Sequence, residues 1–169
     1  ASQSQNTGND AILELVKSGQ ISGSQLSTGT LYNSRVLLNF DIAALSQSLV
    51  SAYGSIPTAT SYSIRLFTVE ANEVPATYTL ETLAVSQSWT RGTGKFYDYP
   101  RDEDSGVSWK YRDGKNNGTE WTTSSFATNT TGSLQGQTVS GGGTWHTDRI
   151  QPQTFGDVTD IDINVTRLI

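Results

Sequence analysis

The chain has no cysteine and no methionine, and a single histidine among its 169 residues. Without cysteine there is no disulfide, no thiolate zinc site and no cysteine nucleophile, and the redox compartment stays open. One histidine cannot build a histidine-rich transition-metal site. Charge is scarce too: 16% of residues are charged, with a net charge of −5. Nucleic acid and anionic membranes are therefore excluded as partners, because both need a basic face that releases counterions. No stretch approaches the roughly 18 to 20 apolar residues of a membrane-spanning helix. The opening Ala1-Ser2-Gln3-Ser4-Gln5 is polar and carries no apolar signal region. With methionine absent, Ala1 is not an initiator residue, and a processed product or a piece of a longer polypeptide is expected.

What remains is Ser, Thr, Asn, Gln and Gly, together with four Trp, seven Tyr and five Phe. Disordered chains are rich in charge and poor in aromatics. This composition points instead to β-sheet with a hydroxyl-rich outer face, as in surface proteins, fibres and capsid components. The length suits one domain over 1–169 with a real core.

The apolar pattern is mostly period two, the spacing that places alternate side chains on one face of a strand. Val36, Leu38 and Phe40 alternate with Leu37 and Asn39. Tyr62, Ile64 and Leu66 alternate with Ser63, Arg65 and Phe67, so that both faces are partly apolar, as in an inner strand. Strands are also expected over Thr77–Val85, over Ile161–Val165 and, after the turn-like Asn6–Asp10, over Ala11–Lys17. One short helix is expected near 42–50, capped by Asp41, with Ile42, Leu45 and Leu49 at helical spacing and an end before Gly54. Long Gly-rich connections fill 91–105, 113–119 and 128–143. The pattern predicts an all-β fold, a sandwich with long loops, and loops of that length usually carry function or an interface.

Catalytic chemistry is hard to find. His146 follows Gly143-Thr144-Trp145, which reads as a strand start rather than a nucleophile elbow. Asp98, Asp102 and Asp104 share an acidic loop that offers candidate calcium ligands, but their spacing is not that of a calcium-binding loop. Asp157, Asp160 and Asp162 are split between strand faces. Nothing fixes the separation that a glycosidase carboxylate pair needs. The sequons at Asn117, Asn129 and Asn164 discriminate little in a chain so rich in Asn and Thr. The chain reads as no enzyme, with no cofactor. The aromatic residues Trp89, Tyr97, Tyr99, Trp109, Tyr111, Trp121 and Trp145 lie in or beside the long loops. Each is either an anchor that holds a loop down or part of a binding surface.

Asn33–Ile42, then Ser61–Leu66, then Val85–Trp89 resemble the DNRLRE-type module: an Arg-led strand ending in Phe-Asp, an Ile-Arg-Leu strand, and a strand ending at Trp. That resemblance implies a jelly-roll β-sandwich related to carbohydrate-binding modules. The stretches Trp89–Gly94, Gly106–Gly114, Gly141–Trp145 and Asp157–Ile161 are similar to structural proteins of large tailed phages of marine bacteria. The likeness covers most of the chain and implies a non-enzymatic virion protein: a capsid decoration, fibre or tail-associated domain. Its location would be the virion or the cell exterior. Its partners would be other virion or surface proteins, with self-assembly. Two alternatives stay open, a carbohydrate-binding adhesion module that takes glycans and a subunit of a bacterial surface filament. Members of the family continue past the last strand, so sheet edges filled by a partner or by further chain are also expected.

Overall fold

Asp41 opens α1, Ile42–Tyr53, where its Oδ1 caps the helix by accepting the Ala44 backbone N–H at 2.9 Å. Gly54 closes it with a left-handed φ of 77° and an N–H bonded to Val50 O at 2.8 Å. The helix is 12 residues long and runs past the expected 42–50, because nothing between Leu49 and Gly54 breaks it. The computed structural model describes residues 4–20, 30–71, 77–122, 141–156 and 160–169. The sequon at Asn129, the acidic Asp157 and most of the 128–143 connection lie outside them.

Among the described residues six strands are present: β1 Lys17–Gln20, β2 Thr30–Asn33, β3 Ser63–Leu66, β4 Tyr78–Val85, β5 Trp145–Phe155 and β6 Ile161–Asn164. They form three two-stranded sheets, β1–β2, β3–β6 and β4–β5. The fold is therefore β-rich with little helix. Contacts divide it into two compact units, Ala1–Leu38 with Val85–Thr144, and Asn39–Ala84 with Trp145–Ile169.

In the second unit, the antiparallel pair β3–β6 sets Ile64 opposite Ile163 and Arg65 opposite Asp162. Period two then does the sorting. Ile64 and Leu66 turn inward, Ile163 and Val165 are buried, and Arg65 and Asp162 meet outside as an ion pair at 2.7 Å. That pair raises the Arg65 pKa through the Asp162 hydrogen bond, but an exposed pair like this adds little stability. The sequence suggested an inner strand here; among the described residues β3 pairs with β6 alone, and Phe67 is exposed. Along β4, Tyr78 stacks on Phe155 with ring centroids 5.6 Å apart, and the Thr79 and Thr154 hydroxyls bond at 2.9 Å.

In the first unit, β1 and β2 pair antiparallel from Lys17↔Asn33 to Gln20↔Thr30. Two expected strands are corrected here. Residues 11–16 are not strand: past one backbone bond, Ser34 N to Val16 O at 2.9 Å, the Ser34 hydroxyl donates to Glu14 O and accepts from Val16 N, taking the place of further ladder bonds. Residues 36–40 are not strand either, because the ladder ends at Asn33; Leu38 is 37% and Phe40 53% exposed.

Candidate functional site

The site grows from Asn6, whose side chain is fully buried (0% exposed). Its Nδ2 donates to Arg91 O at 2.8 Å and to Val107 O at 2.7 Å. Its Oδ1 accepts from Gly94 N at 2.9 Å and from Gly8 N at 3.1 Å. Every hydrogen-bonding position of the amide is thus used on backbone, which is how a buried polar group becomes stabilising rather than costly. Gly92 makes room for it. Its φ is 79°, and a Cβ there would sit 2.5 Å from Asn6 Oδ1.

This knot fixes the loop 91–105 from several directions. Asn6 N donates to Asp102 O at 2.8 Å and Asn9 N to Gly94 O at 2.9 Å. Gln5 Nε2 donates to Phe96 O at 2.9 Å, and Asp10 Oδ1 accepts from Phe96 N at 3.1 Å. Arg91 reaches back to Gly8 O and Asn9 Oδ1, both at 2.8 Å. At its crest the loop presents Tyr97, 91% exposed, and Tyr99, 100% exposed. Phe96 packs edge-on against Tyr97 at 5.1 Å, and the Tyr99–Pro100 peptide is cis.

Two carboxylates of this loop serve the backbone. Asp98 Oδ2 accepts from Lys95 N at 2.7 Å, and Asp102 Oδ1 accepts from Asp104 N and Ser105 N, both at 3.0 Å. Hydrogen bonding from Ser105, ahead of the opposing effect of burial, holds the Asp102 carboxyl below its usual range. Among the described residues no three of His, Cys, Asp and Glu gather as metal ligands. Of the calcium candidates Asp98, Asp102 and Asp104 raised from the sequence, Asp98 and Asp102 each turn a carboxylate oxygen to backbone amides. Asp160 and Asp162 are likewise engaged, with Thr68 N and with Arg65.

The other aromatics divide by role. Trp121 is 6% exposed, and its indole N–H donates to Ser108 O at 3.1 Å. Trp109 is half-buried under the Arg35 guanidinium, 4.8 Å from the ring, while Arg35 Nη1 donates to Gly141 O at 2.6 Å. Burial lowers the Arg35 pKa. Tyr111 is half-buried, bridges to Glu120 in β fashion, and lies 5.1 Å from Lys110 Nζ. The Glu120 hydrogen bond, at 3.1 Å, raises the Lys110 pKa, as the Glu103 bond at 2.7 Å raises that of Lys115. In the second unit Trp145 opens β5 and is buried, with His146 exposed beside it.

Trp89 is half-buried and lines a cavity of about 180 Å³ with Ser88, Thr90, Arg112 and Asp113. Sequence reasoning passed over Asn6, Arg35, Arg112 and Asp113. The clustering of glycines at 92, 94 and 106 was the available signal for Asn6, because such a run marks close backbone approach.

Comparison with protein-family models, curated proteins and solved structures returns no match.

Proposed function

We propose that the chain is a non-enzymatic structural protein of a phage virion, a capsid-decoration, fibre or tail-associated module. Its neighbours in the particle, copies of itself or other virion proteins, seat on the Tyr97–Tyr99 loop. The observation that carries this reading is the pairing of extreme exposure with a pinned backbone: Tyr97 and Tyr99 stand in solvent on a loop tied to Gln5, Asn6, Asn9 and Asp10. A tyrosine offers a large amphipathic contact area with only two side-chain torsions to freeze. A loop already ordered loses little further entropy on association. Apolar and hydroxyl-bearing ends on one ring suit the centre of a protein interface, where tyrosine is enriched.

The virion role itself rests on the resemblance of 89–94, 106–114 and 141–145 to phage structural proteins. The jelly-roll sandwich is part of the same proposal. It is supported by the β-rich content and by the alternating burial of β3, β4 and β6. The test is the double variant Tyr97→Ala/Tyr99→Ala in a particle-assembly assay. Incorporation into particles is expected to fall at least tenfold while the melting temperature stays put, since surface truncations away from packed groups change stability by only about 0.5 kcal/mol. Undiminished incorporation would overturn the reading.

A further inference from the structure

Asn117-Gly118 is the one Asn-Gly pair in the sequence. Asparagine is among the thermolabile residues, and the residue after it governs how fast it reacts. The backbone nitrogen of that residue must reach the asparagine Cγ, and a side chain there stands in the way. Glycine has none and turns freely. Both residues are exposed here, Gly118 has a φ of 69°, and a Cβ added to it would meet nothing within 4 Å. Two other positions are shielded. Asn6 is buried with its amide fully used on backbone. Asp113-Gly114 is capable of the same ring closure, but Asp113 Oδ1 is buried and a Cβ at Gly114 would collide with Asp104 O.

Hydrogen bonds hold the turn around Asn117. Asn117 Nδ2 donates to Asp113 O at 2.7 Å, and Gly118 N donates to Lys115 O at 3.1 Å and to Gly114 O at 3.3 Å. Lys115 ties the turn to the loop 91–105, its N–H on Glu103 O at 2.9 Å and its ammonium on Glu103 Oε2 at 2.7 Å. While these bonds hold, the Gly118 nitrogen is occupied and the Asn117 amide faces Asp113. Reaction therefore waits on opening of the turn, and exposed backbone bonds of this kind open locally without global unfolding. We propose that Asn117 is a self-modification site, where the chain converts its own asparagine to aspartate and isoaspartate. The Gly118 nitrogen, its proton lost to hydroxide, bonds to Asn117 Cγ; the Cγ–Nδ2 bond breaks and Nδ2 leaves as ammonia. Water then opens the resulting succinimide. Opening at Cγ gives aspartate, and opening at the Asn117 main-chain carbonyl gives isoaspartate. Water is consumed, ammonia is released and nothing is oxidised. The product has lost the Nδ2 donor and turns an acceptor toward Asp113 O, itself an acceptor. The turn therefore loosens where it supports Glu103. This site is independent of the assembly role of the tyrosine loop.

The test warms the whole chain in mildly alkaline buffer, beside the same chain unfolded in urea, and maps both over time by mass spectrometry of their peptides. Asn117 should be the first asparagine of the folded chain to convert, with isoaspartate at the site. Glu103→Ala should hasten the conversion several-fold by freeing the turn. Gly118→Ala, whose native spectrum is checked first, should slow it several-fold. Should that variant lose its fold, the time course of the wild-type chain still decides the matter. Hydrogen exchange at the Lys115 amide should quicken once Asn117 has converted. Asn117 intact in the folded chain while the unfolded chain converts there would overturn the proposal. So would earlier conversion of another asparagine, or a Lys115 amide equally protected before and after conversion.

Discussion

The side-chain Oδ1 of Asn6 accepts the backbone N–H of Gly94 at 2.9 Å, across 88 residues of sequence. One amide near the start of the described chain thus sets the base of a loop whose crest carries Tyr97 and Tyr99. The loop has no strand of its own to hold it. Its order comes from side chains that satisfy backbone groups, the task that sheet ladders perform elsewhere.

Asn6→Ala should therefore be among the costliest single changes in the chain. It leaves the carbonyls of Arg91 and Val107 and the amides of Gly8 and Gly94 without their partner. A loss of about 3 to 5 kcal/mol is expected, since each buried group left unpaired costs about 1 to 3. Urea unfolding measures it, and a loss under 1 kcal/mol would show that water replaces the amide freely.

Two glycines of nearly equal φ separate backbone strain from crowding. Gly54 has φ 77°, and a Cβ added there would meet nothing within 4 Å, whereas at Gly92, with φ 79°, a Cβ would meet Asn6 at 2.5 Å. Gly54→Ala should cost about 1 to 2 kcal/mol, the penalty of a left-handed residue alone. Gly92→Ala should cost about 1 to 3 kcal/mol more, because the Asn6 knot must shift. Thermal unfolding of the two variants gives the difference directly, and equal costs would contradict the close packing.

Trp121 and Phe40 test which apolar residues make the core. Trp121→Ala should destabilise by about 3 to 5 kcal/mol, as a buried indole does. Trp121→Phe should still cost about 1 to 3 kcal/mol through the Ser108 carbonyl that loses its donor. Phe40→Ala should stay within about 1 kcal/mol, given the exposure of that ring. Denaturant midpoints for the three variants check the order.

Asp102 gives the loop a pH dependence of definite sign. Its carboxyl is held below its usual range by hydrogen bonds from Ser105 and the Asp104 N–H. A folded pKa below the unfolded value, about 3.9, contributes stability that is complete above that value. The contribution is lost as pH falls through the folded pKa. The Ser105 amide proton resonance should hold its position down to about pH 4 and move only below it. Asp102→Asn should abolish that movement. A midpoint at or above the ordinary carboxylate value would contradict the hydrogen-bonding account.

The legible parts of the fold were those whose cause is local. Asp41 and Gly54 announce both ends of α1, and Ile64, Leu66, Ile161 and Ile163 announce inward faces, because cap and period are properties of neighbouring residues. Val36–Phe40 carries the same alternation, and Ala11–Val16 is mostly apolar, without either becoming strand. A strand needs a partner ladder, and past the Ser34 N to Val16 O bond the Ser34 hydroxyl takes the Val16 N–H and the Glu14 carbonyl. The aromatic set was visible, but its sorting was not. Trp121 is buried and Tyr99 exposed through contacts made far along the chain, with Ser108 for the one and Gln5 and Asn6 for the loop of the other. The Arg112–Asp113 pair lies in a run of ordinary loop residues, and its two buried unpaired atoms, Arg112 Nε and Asp113 Oδ1, are visible only in the folded chain.

The most direct test of the assembly role is cryo-electron microscopy of the native particle, reading the surroundings of Tyr97 and Tyr99 in each copy. The account predicts both rings buried at the centre of an interface of more than about 1,000 Å² with a neighbouring virion protein or a second copy. Both rings free in solvent in every copy, with the interface on another face, would contradict it.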